Sequence, residues 1–153
     1  MNDIKFKIED KTLTTYNEEK EHKNHFYDIN SINAIYISKT KEATALYPEF
    51  GLYMTTDFDE KALVYKTEDE LKVAKAYENL IKELKTINAE FKDYFPKCIN
   101  MKKVQSIGWK KVPFKYLAEV DFGKNSIQFR TTNEEFDKMI GDWRDSKSKD
   151  LNI

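Results

Sequence analysis

The chain has 153 residues, of which 40% are hydrophobic, 14% aromatic and 35% charged, with 26 basic against 27 acidic groups and a net charge of −1. So many aromatics at so little net charge exclude a disordered tail, and the charge balance excludes both a polyanionic mimic of nucleic acid and a histone-like polycation. The length suits one domain that buries its own core without disulfide or metal staples.

The basic residues are 24 lysines and two arginines, Arg130 and Arg144. Planar bidentate grips on phosphate, carboxylate or guanine are therefore scarce, and cationic work falls to point charges. Cys98 is the single cysteine, which excludes an intramolecular disulfide and a Cys-based metal cage and fits a reducing compartment. The opening MNDIKFKIED alternates polar and apolar residues, unlike a signal peptide, and no apolar run approaches membrane-span length. A cytoplasmic location is expected.

In chain order, Ile4, Phe6 and Ile8 alternate with Lys5, Lys7 and Glu9, a half-buried strand that Asp10-Lys11 turns into a second, Thr12 to Tyr16. The polar run 17–24 reads as an exposed loop. Strands follow at 26–29 and 32–37 around Asn30-Ser31, then at 50–56 and 62–65 about the polar turn 57–61. Thr67-Glu68-Asp69-Glu70 has capping-box form, with Thr67 as the cap. Behind it Leu71, Ala74, Tyr77, Leu80, Ile81, Leu84, Ile87 and Phe91 form an apolar stripe, which predicts one long helix over about 68–94 that Pro96 ends. A hairpin is expected at 116–122 and 126–130 about Gly123-Lys124-Asn125. Thr132 and Glu135 make a second capping box ahead of Phe136, Met139, Ile140 and Trp143, a shorter helix over about 133–145. The hairpin-then-helix order at 52–93 is echoed at 116–144. The fold expected is a single α+β domain over 1–145, an antiparallel sheet of hairpins with both helices packed on it, and a frayed tail at 146–153.

Catalytic and metal chemistry find little support. His22 and His25 stand three apart but lack a third strong ligand, and Cys98 beside Ile99 reads as packing. Asp57, Asp59 and Glu60 suit a hard cation, yet they fall where a hairpin must turn. Only four glycines are present, and they are scattered, so no phosphate-cradling loop exists. No enzyme activity, cofactor or metal is expected.

The net charge conceals a polarised chain. Residues 1–95 carry −5 and 119–153 carry −2, whereas 96–118 hold six lysines and no acid. Within that stretch Lys102, Lys103, Lys110, Lys111 and Lys115 interleave with Trp109, Phe114 and Tyr116, which suits an anionic partner if these residues share one exposed face. A macromolecular partner, most readily a protein, is expected to bind there. Asp57, Asp59 and Glu60 form a secondary acidic patch. Lysines on phosphates with rings on bases make a nucleic-acid module the alternative, and a small-ligand-sequestering protein is a further one. Small Lys-rich proteins of this composition are frequent on phages and mobile elements, where some inhibit host defence nucleases, as anti-CRISPR proteins do. The function expected is therefore non-enzymatic modulation of such a partner.

Overall fold

A computed structural model describes residues 6–17 and 23–151. Strands β1 (Phe6–Glu9), β2 (Thr12–Asn17) and β3 (Lys23–Asp28) form an antiparallel sheet in that order. Asp10 and Lys11 turn the first hairpin with φ of 51° and 59°, the paired left-handed geometry of a two-residue hairpin loop. Asp28 then caps a single 3₁₀ turn, Ile29–Ser31, by accepting from Asn30 N–H at 2.9 Å.

The chain next enters a five-stranded antiparallel sheet. Its strands are β4 (Ile32–Lys39), β5 (Phe50–Thr56), β6 (Ala62–Thr67), β7 (Phe91–Tyr94) and β8 (Lys97–Asn100), ordered β6-β5-β4-β8-β7. Helix α1 (Glu70–Ile87) packs on one face, burying Val73, Tyr77, Leu80, Ile81 and Leu84 against Ile35, Leu52, Met54, Val64, Phe91 and Cys98. The first sheet adds Leu13 to this core, with Phe6, Ile8 and Tyr27 packed at its margin.

The third sheet, ordered β11-β10-β9, comprises β9 (Ser106–Val112), β10 (Lys115–Asp121) and β11 (Ser126–Thr131). With helix α2 (Asn133–Leu151) it builds a second core on the other face of the large sheet. There Ala34, Tyr94, Ile99, Met101, Val104, Val120, Phe122 and Met139 are buried together. Asn125 ties the two sheets, donating to Thr56 O at 2.6 Å and accepting from Asn33 at 3.1 Å. The fold is thus the expected single-domain α+β arrangement of hairpins and two helices, divided over three sheets.

The long helix is shorter than its stripe implies. Its cap is Asp69, which accepts from Leu71 N–H at 2.9 Å, while Thr67 accepts from Asp69 N–H one step outside. Shifting the cap rotates the inward face: Val73 is buried, and Leu71 is 81% exposed. The helix stops at Asn88, not Pro96. Asn88 leaves helical geometry and its side chain accepts from Glu90 N–H at 2.9 Å, the local competition with helix that asparagine favours. Phe91 therefore belongs to β7, and Pro96 sits in the two-residue loop to β8, where the Phe95–Pro96 peptide is cis. At the other end α2 continues past 145 to Leu151, with Ser146 buried, so most of the expected tail is helix. Thr132 caps it as expected, accepting from Glu135 N–H at 3.2 Å. Among the described residues no helix is long and apolar enough to cross a membrane.

Candidate docking surface at the β9–β10 hairpin

The hairpin is held by a regular antiparallel register from Ser106↔Asp121 to Val112↔Lys115, leaving Pro113 and Phe114 as a two-residue loop. Proline fixes the first loop residue near φ −65°, and the second then lies at φ +69°. A turn with proline first and positive φ second favours glycine at the second position. Here that position is a phenylalanine, and its ring is fully exposed.

The register sorts the remaining side chains. Ile107, Trp109 and Lys111 face inward beside Val120, Ala118 and Tyr116, the side on which α2 packs. Ala118 opposite Trp109 leaves room for the indole. It meets Tyr116 edge-on at 5.1 Å between centroids and Phe136 at 6.2 Å, and remains 58% exposed. The outer face carries Lys110 and Lys115 toward the tip, with Arg130 in the same row as Leu117 and Lys110. Its acids, Glu119 and Asp121, lie toward the root, and Glu119 accepts from Gln128 at 3.0 Å. Lys110, Lys111 and Lys115 make no ion pair among the described residues.

The 96–118 stretch therefore does not form one face. Lys97 is buried at 7% exposure, with Nζ 2.9 Å from Glu135 and 4.4 Å from the Phe129 centroid. Lys103 pairs with Asp57 at 2.7 Å, and Lys102 lies exposed beside it on the 3₁₀ turn Met101–Lys103. Trp109, Lys111 and Tyr116 stay together, Lys110 and Lys115 lie across the sheet from them, and Phe114 joins the two sides at the tip.

The acidic patch is reduced by the same pairing. With Asp57 engaged, Asp59 and Glu60 are its exposed acids, and the turn is explained by Thr56, whose hydroxyl accepts from Phe58 N–H and Asp59 N–H. Phe58 projects from this turn, 82% exposed, with Lys124 Nζ 5.5 Å from its centroid. A second apolar projection that sequence reasoning missed is Leu46-Tyr47. Thr40 and Glu49 close the base of its loop, and Thr44 brackets Tyr47 at the tip. The run of small residues Ala43-Thr44-Ala45 before Leu46-Tyr47-Pro48 was the available signal, but it has no period.

Among the described residues chemically reactive groups are not gathered. His22 lies outside the described residues; His25 stands on a strand, exposed and stacked on Tyr27 at 6.2 Å. Cys98 is buried in the first core, where burial and then the Asp93 charge push its thiol well above the ordinary range. Among the described residues no three His, Cys, Asp or Glu side chains are placed to hold a metal ion. A cleft of about 660 Å³ is lined by Lys11, Asn30, Asn88, Asn100 and Lys102. The carboxamide oxygens of Asn88 and Asn100 already accept from the backbone of Glu90 and Lys102. Compared with known proteins, the chain matches no family model, no curated protein and no solved structure.

Proposed function

We propose that this chain is a non-catalytic docking protein whose β9–β10 hairpin seats on an acidic protein surface, with Phe114 as anchor and Lys110, Lys111 and Lys115 steering the approach. One observation carries the reading: a bulky aromatic occupies a left-handed turn position and is fully exposed. Such a conformation strains any residue but glycine, and the ring gains no packing in return. A side chain that weakens its own turn without supporting the core has its use outside the fold. Unpaired lysines around an aromatic anchor match the polar rim and apolar centre of protein interfaces.

In the finer form of this proposal the partner is a host defence nuclease. The lysine hairpin then meets an acidic face of it, because two exposed acids at 59–60 are too few to mimic a phosphate backbone along a basic groove. The test is capture of the partner from the native host by wild type, Phe114→Ala and the Lys110→Glu/Lys111→Glu double variant. Loss of the ring should weaken binding by about tenfold or more, the transfer free energy of a buried phenyl group. Charge reversal should abolish capture at low salt. Equal capture by all three refutes the site. Binding of oligothymidylate with a steep salt dependence would instead favour the nucleic-acid reading.

A further inference from the structure

β9 is an edge strand, hydrogen-bonded to β10 on one side alone. A two-residue hairpin loop closes on a pair that exchanges both hydrogen bonds, here Val112 with Lys115. Counting back by twos, Lys110, Gly108 and Ser106 also bond to β10. The N–H and C=O groups of Ile107, Trp109 and Lys111 therefore point away from the sheet, along the free edge.

From this we infer that β9 takes up an extended acidic segment of the partner as a fourth strand. The inference rests on the docking reading above and specifies how the partner is held. Three alternate residues offer six backbone groups in register for a ladder. Lys110 and Lys111 project to opposite faces, so two consecutive acidic residues in an added strand meet one lysine each. A second copy of β9 is a poor occupant, because its lysines would lie against these. Gly108, at the middle of the strand, has open space where a side chain would sit. The fold does not require glycine there, and a strand-interior glycine is a common accommodation for a second backbone.

The test uses a peptide matching the seven residues of β9, with Asp-Glu at its centre between valines and threonines. Its controls are the same peptide N-methylated at alternate amides, oligoglutamate of equal length, and oligothymidylate. The acidic strand should slow hydrogen exchange at the amides of Ile107, Trp109 and Lys111 and leave Lys110 unchanged. N-methylation removes several ladder donors and should weaken binding by at least about tenfold, the worth of one good hydrogen bond. Lys111→Pro should do the same relative to Lys111→Gln, since both remove the charge and proline alone removes the outward N–H. Thermal unfolding of both variants checks that the hairpin is intact, and the N-methylated peptide tests the ladder without altering the protein. Acidic probes that bind with no protection of these amides, indifferent to N-methylation, overturn strand addition and leave docking standing. Failure of both acidic probes to bind at millimolar concentration overturns both proposals, as does oligothymidylate displacing them from the edge.

Discussion

Replacing Phe114 by glycine should strengthen the fold while weakening docking, a pair of effects that an ordinary surface substitution does not combine. At φ +69° an L-residue carries roughly 1–2 kcal/mol of backbone strain. Glycine relieves it but gains freedom in the unfolded chain, which returns about 0.4–1 kcal/mol. The exposed ring contributes no packing to lose, so the net gain is about 0.5–1 kcal/mol. Each kcal/mol moves the midpoint of a chain this long by about 2–4 °C, which predicts a rise of roughly 1–4 °C. Phe114→Ala is the control: its Cβ keeps the strain, so its stability should stay within about 0.5 kcal/mol of wild type.

Pro113 narrows the comparison by holding the first loop residue near φ −65°, which bars the primed turn types that need a positive φ there. Thermal unfolding followed by circular dichroism measures stability, and capture of the partner from the native host measures docking. Both variants should lose affinity alike, because both lack the ring. A lower midpoint for the glycine variant would mean that Phe114 supports the fold. Wild-type affinity in both variants would place the anchor elsewhere.

Removing the carboxylate in Glu135→Gln strands a largely buried lysine, Lys97, and should cost about 2–4 kcal/mol in chemical denaturation. Lys97→Met with Glu135→Leu should recover most of that, and an additive double variant would show that the two side chains do not interact. For α1, Asp69→Ala should cost about 1 kcal/mol and Glu70→Ala much less, because Asp69 is the cap; the reverse ranking would restore the Thr67 capping box. Alkaline pH should destabilise the protein. Burial, with Asp93 beside Tyr77 and Cys98 and Asp142 beside Tyr94, raises all three groups above their ordinary values of 10.0 and 9.0. The folded chain thus keeps protons that the unfolded chain releases, so stability is whole below the ordinary thiol value and falls above it, by up to about 1.4 kcal/mol per pH unit per group. A flat midpoint from about pH 8 to about pH 11 would contradict these buried protons.

The hairpins at 6–17 and 115–131 were legible because each combines a period of two with turn residues suited to its loop, and that at 50–67 because strand-favouring residues flank the polar turn 57–61. The stretch 88–112 was not. Ile87 and Phe91 keep helical spacing across a real helix end, and β7, at four residues, is too short to display its own period. In β8 all four residues are buried, and in β9 most are exposed, so neither alternates. Candidate site residues were legible as types but not as an arrangement. The partners of Lys97 and Lys103 lie 38 and 46 residues away, and local pattern carries no record of such distant pairing.

Those two pairings decide how the hairpin can be approached. They neutralise lysines at the root of the 96–118 stretch, and they leave Lys110, Lys111 and Lys115 as unpaired charge around the tip. Because Lys111 sits on the face with Trp109 and Tyr116 while Lys110 and Lys115 sit on the other, a flat partner laid on either face meets only part of the charge. The two sides converge at the Pro113–Phe114 turn and along the free edge of β9, where a partner engages both at once. An edge-on approach reaches Lys110 and Lys111 together beside the exposed anchor, whereas docking on a face reaches only one of these two. On the proposed strand addition, the same geometry would select acids on neighbouring residues of one extended strand, not the every-second-residue spacing that a single sheet face would select.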